Sequence, residues 1–112
     1  MEKEASSKAR ILFKSAWEAH ARGDDEEAEK LFQQALAIEP DSIEIIYGLG
    51  IVLKAIGRTQ EAIAQFEKIV HIIENREWND LNRARMLRRL ALGQINYLKN
   101  QDWNLEREVW QR

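Results

Sequence analysis

The chain has 112 residues, a formal net charge of −2 and a hydrophobic share of 45%, which together exclude a second domain and general disorder. Its 17 basic and 19 acidic residues nearly cancel, so nothing draws the whole molecule to phosphate backbones and nucleic acid is not an expected partner. Cysteine is absent, which excludes disulfides and thiolate chemistry and fits a cytoplasmic setting, and no apolar run suits export or membrane spanning.

A shift of 34 residues superimposes Ala21 on Ala55, Gly23 on Gly57, Glu27 on Glu61, Ala28 on Ala62, Phe32 on Phe66 and Ile38 on Ile72. Six helices are predicted, at about 7–21, 25–38, 42–55, 60–75, 80–99 and 103–111. The first ends at Gly23, a residue free to take positive φ, and the acidic run from Asp24 to Glu27 complements the dipole of the second. Ala28 is small enough to let the two helices close, and Phe32, one turn on, fills the wedge between them.

Pro40 stops the second helix, and Asp41 with Glu44 reads as a capping box that starts the third near Ser42. Gly57 repeats the turn of Gly23, Thr59 is placed to cap the fourth helix, and Ala62 and Phe66 repeat the packing pair. Leu92-Gly93 then matches Leu49-Gly50 at a spacing of 43, nine more than the period, which implies an insertion at about 77–85. Leu81, Ala84, Leu87, Ala91, Ile95 and Leu98 recur at spacings of three and four, so the extra residues are expected to lengthen the fourth and fifth helices, with Asp80 as a cap, rather than to form a loop anchored by Trp78. Asn100 falls where Gly57 stood, and Leu105 and Val109 replace Ala62 and Phe66 on the last helix.

The 34-residue period and its Gly, Ala, Phe and Pro punctuation, with Leu49-Gly50 as a Leu-Gly pair, resemble the tetratricopeptide-repeat family. Repeats fall at about 9–42 and 43–76, with a degenerate third at about 86–112; Ser15-Ala16 replaces the Leu-Gly pair in the first, and Glu74 stands where Pro40 stood. The resemblance implies an all-α fold of three stacked antiparallel helix-turn-helix hairpins in a right-handed α-solenoid. It also implies a protein- or peptide-binding scaffold rather than an enzyme.

In that family the first helix of each hairpin lines a concave groove. The matching phases here are Arg10, Phe13, Lys14, Trp17 and His20 in the first repeat and Glu44, Tyr47, Gly48, Ile51 and Lys54 in the second. The shifted third repeat adds Leu87, Leu90, Ala91, Gln94 and Tyr97. Relatives that bind the acidic tails of chaperones carry a clamp of Lys, Asn, Asn, Lys and Arg at phases held here by Phe13, Trp17, Gly48, Leu87 and Ala91, so that ligand is not expected. The aromatic lining suits an apolar segment such as an amphipathic helix, although Phe13, Trp17 and Tyr97 also read as core in so small a domain.

Three further features stand outside the groove. Arg85, Arg88 and Arg89 point to one side of the fifth helix, with Arg83 elsewhere, either as a basic patch for a carboxylate or phosphate or as a solvated face pairing with Glu67, Glu74 or Glu77. Trp103 and Trp110, seven apart, share a face of the last helix and either seal the third repeat or meet a partner, including a second copy in a homodimer. His20 and His71 lie in different repeats without convergent ligands, and no phosphate loop or catalytic pair can be assembled, so neither metal nor cofactor is expected.

Overall fold

The computed structural model describes residues 2–100, which form five helices and no strand: α1 (Glu2–Ala21), α2 (Asp25–Ile38), α3 (Ile43–Ile56), α4 (Thr59–Glu74) and α5 (Leu81–Asn100). Tight turns fold α1 onto α2 and α3 onto α4, and contacts of α2 with α3, α4 with α5 and α1 with α3 stack these units in sequence. The predicted sixth helix lies outside the described residues.

Both hairpin turns work the same way. Gly23 and Gly57 hold φ at 84° and 90°, the left-handed region that a side chain would oppose. The next amide in each case closes back on the helix just ended, Asp24 N–H donating to the Ala19 carbonyl and Arg58 N–H to that of Leu53, both at 2.9 Å.

Helix starts are less regular. The Asp24 carboxylate accepts the Glu27 amide at 3.3 Å and so caps α2. At α3 the cap is Ser42, whose hydroxyl accepts the Ile45 amide at 3.4 Å, and not Asp41, because Pro40 and Asp41 are still in the turn. Thr59 is likewise one residue too late to cap α4: it is the first helical residue, and Arg58, the N-cap, offers no side-chain acceptor. Arg58 instead donates from its guanidinium to Glu61 in the same first turn and to Glu29 on α2 at 2.8 Å, strapping the second hairpin to the first.

That strap has a pH dependence of defined sign. The hydrogen bond from Arg58 holds the Glu61 carboxyl below the usual carboxylate range, outweighing an opposing desolvation, and the charge of Arg58 adds a lesser pull in the same direction. A carboxylate depressed by folding contributes stability above its unfolded pKa and loses it as pH falls through its folded pKa. Glu61→Gln is therefore expected to lower the neutral plateau of a melting-temperature profile slightly, the pair being exposed, and to leave the acid end where it is, so that the acid limb flattens. An acid limb identical to that of the unsubstituted protein would disprove the contribution.

The core follows the repeat. Phe32, Phe66, Ile46, Ile69 and Val52 are sealed from solvent, and Ala28 and Ala62 are buried where the paired helices meet. Each phenylalanine lies on a glycine of α3: a Cβ at Gly48 would stand 2.5 Å from the Phe32 ring, and one at Gly50 would stand 2.7 Å from that of Phe66.

The nine residues inserted after α4 are divided between helix and connection. Relative to their counterparts α2 and α3, α4 runs two residues further and α5 begins five residues earlier, while the link at 75–80 is two longer than that at 39–42. Within this link the Trp78 indole N–H donates to the Ile73 carbonyl at 3.1 Å, and the Arg76 guanidinium lies 5.3 Å from the ring centroid. Asp80 caps α5, its carboxylate accepting the Arg83 amide at 3.0 Å.

Candidate functional site

The first helices α1, α3 and α5 share one side of the stack, and an apolar cavity of about 210 Å³ opens there. From α1 come Phe13 and Trp17, from α3 Ile43, Glu44 and Tyr47, and from α5 Leu87 and Leu90. Ile69 reaches the cavity from α4.

On the α1 side the wall is built of interlocked rings. Phe13 and Trp17 meet edge to face at 6.2 Å, and both stand on the buried Phe32, at 6.0 and 5.4 Å. Both are only half-buried, so they combine core packing on one side with cavity wall on the other. Arg10 and Lys14 are exposed on the same helix, and Arg10 also borders a neighbouring depression with Glu39 and Glu44. His20 turns from the groove phase to the hairpin turn, its Nδ1 lying 2.6 Å from Asp25 Oδ1.

Between α3 and α5 the contact is polar. Lys54 Nζ donates to Gln94 Oε1 at 3.0 Å and sits 4.6 Å from the Tyr97 ring centroid. Gln94 Nε2 in turn donates to the Tyr47 hydroxyl at 3.1 Å, while the Tyr47 ring packs on Phe66 at 5.4 Å. Four groove residues assigned by phase are thus joined in one clasp, and Lys54 is engaged within the protein. At the cavity rim Arg83 ties Glu44 to α5 at 3.0 Å.

Besides His20, two phase assignments fail. Gly48 and Ala91 are buried and offer nothing to the groove, Gly48 because it faces the Phe32 ring of the preceding hairpin. Ile51 is half-buried against the core, whereas Tyr97 is 56% exposed and Leu90 47%. Ile43 and Ile69 belong to the cavity but lie outside the groove phases; Ile69 is on a second helix, where the repeat phase predicts only core.

The arginines of α5 part company. Arg85, Arg88 and Arg89 border a shallow depression with Leu92, Gly93 and Asn96. Arg88 reaches Glu74 at 3.6 Å, while Arg83 serves the groove rim on another side of the helix. Trp103 and Trp110 fall outside the described residues. Among the described residues no helix is long and apolar enough to cross a membrane, and no three His, Asp or Glu side chains converge as a metal site would require.

The family profile described as tetratricopeptide repeat matches residues 19–86, from the end of α1 through both inter-hairpin turns into α5. The chain belongs to the tetratricopeptide-repeat family. Tetratricopeptide repeats are in general protein–protein interaction modules without catalytic activity of their own. The all-helical order of the described residues agrees with a helical repeat solenoid. No individual curated protein matches the sequence. The matched stretch spans two 34-residue periods and includes Gly48, Gly50, Gly57, Phe32 and Phe66, the residues that set turn and wedge in this tetratricopeptide-repeat chain.

Proposed function

We propose that this tetratricopeptide-repeat protein is an adaptor that binds an apolar segment of another protein, such as one face of an amphipathic helix, in the concave groove. The observation that carries the reading is the cavity of about 210 Å³, whose wall is aromatic and aliphatic apart from Glu44. A helix presenting side chains at i, i+3 or i+4 and i+7 inserts them into such a wall and excludes water from both surfaces. The chaperone-tail clamp is not available, since its phases hold Phe13, Trp17, Gly48, Leu87 and Ala91. The lack of cysteine supports a cytoplasmic setting for this work.

Leu90 provides the test, because it lines the cavity yet is exposed enough that its replacement leaves the core intact. A photo-reactive amino acid at Leu90 is expected to capture a partner protein, and the same group at Gln33, exposed on α2, is not. Leu90→Asp is expected to weaken binding of the captured partner by about 10-fold or more. Equal capture from both positions, or unchanged affinity of Leu90→Asp, would count against the groove.

A further inference from the structure

We infer that the segment taken by the groove is a helix whose apolar face is flanked by carboxylates at both ends. The inference rests on the groove reading above and adds the chemistry of the partner. Although the chain has a net charge of −2, the groove margins do not share that sign. On the α1 margin Arg10 and Lys14 are four residues apart, hence on one face, and Trp17 continues that face a turn later. On the α5 margin Arg89 shares a depression of about 340 Å³ with Leu90, Gln94 and Tyr97, continuous with the cavity through Leu90 and Tyr47.

None of these three cations has a carboxylate within ion-pair distance among the described residues. The other charges at the groove are committed: Glu44 to Arg83, and Lys54 to Gln94 and the face of Tyr97. Glu39 borders the depression beside Arg10 but lies in the link before α3, outside the cavity itself. Free positive charge therefore stands on both sides of an apolar floor. A carboxylate arriving at either margin meets a cation without displacing an existing pair.

The partner helix lies across the first helices α1, α3 and α5, whose side chains meet at the cavity. Apolar anchors in its middle would sit over the cavity while acidic residues near its two ends reach Arg10 with Lys14 and Arg89.

The probes are three synthetic helical peptides of about 14 residues. They share one apolar face of leucine and phenylalanine and differ only in carrying glutamate, glutamine or lysine at both ends. Titrated calorimetrically against the full chain at low salt, the glutamate peptide is expected to bind about 10-fold or more tighter than the lysine peptide, with glutamine between, and the spread is expected to shrink at high salt. The exposed double variant Arg10→Glu/Arg89→Glu, verified as folded by its circular dichroism and melting, is expected to reverse the order. Equal affinity of all three peptides, lost together in Leu90→Asp, would overturn the acidic partner and leave the groove standing. Failure of every peptide to bind would overturn both, and a glutamate preference untouched by the double variant would put the contact elsewhere and overturn the inference.

Discussion

Phe32→Ala is expected to remove about 3–5 kcal/mol of unfolding free energy, the range for emptying a buried phenylalanine site. Phe32 is fully buried, carries the rings of Phe13 and Trp17 on one side and presses against Gly48 of the next hairpin on another. One side chain therefore joins α1, α2 and α3, so its loss opens a gap where three helices meet. A domain of this size is worth roughly 5–15 kcal/mol in total, so the variant should unfold at a much lower urea concentration or fail to fold cooperatively. A loss below about 1 kcal/mol would mean that the wedge collapses and refills, contrary to the interlocked packing described.

Gly48→Ala tests the same contact from the opposite side, and here two effects of opposite sign compete. In the middle of an ordinary helix, alanine in place of glycine stabilises by about 1 kcal/mol. At Gly48 the new Cβ would lie 2.5 Å from the edge of the Phe32 ring, which is rigid and itself fully enclosed. Overpacking of this kind costs about 1–3 kcal/mol, and with no flexible chain end to give way the steric term is expected to win. Chemical denaturation should therefore show Gly48→Ala as a net loss. Gly48→Ala combined with Phe32→Leu should lose less than the sum of the two single changes, and strict additivity would remove the contact as the cause.

The repeat made the architecture legible because its punctuation is chemical. Gly23 and Gly57 hold the positive φ that ends a helix, and Phe32 and Phe66 fill equivalent wedges, so a period in residue type became a period in space. The cap of α3 lies one residue beyond the expected Asp41, since Asp41 and Ser42 are both good acceptors and only the backbone path after Pro40 decides between them. The nine inserted residues could be counted but not distributed, because lengthening a helix and lengthening a link leave the same spacing between Leu49-Gly50 and Leu92-Gly93.

Groove residues were legible to the extent that they repeat. Phe13, Tyr47 and Leu90 share a phase, Trp17 follows Phe13 by one turn, and all four line the cavity. Gly48 and Ala91 share the adjacent phase but turn inward, a rotation of about 100° along the helix that no residue type announces. Ile69 was hidden for a different reason: it is an isoleucine on a second helix, indistinguishable in sequence from the buried Ile63 and Ile73 beside it. The strap from Arg58 to Glu29 crosses 29 positions and carries no periodic signal at all.

Tyr47 has three duties at once: its ring packs on Phe66, its hydroxyl is held by Gln94, and its side bounds the cavity. The margins are differently placed, for Arg10, Lys14 and Leu90 are exposed and bear little of the fold. A lineage of this scaffold can therefore acquire new ligand preferences by drifting at the margins, one substitution at a time, whereas a change at Tyr47 alters recognition and the join between hairpins together.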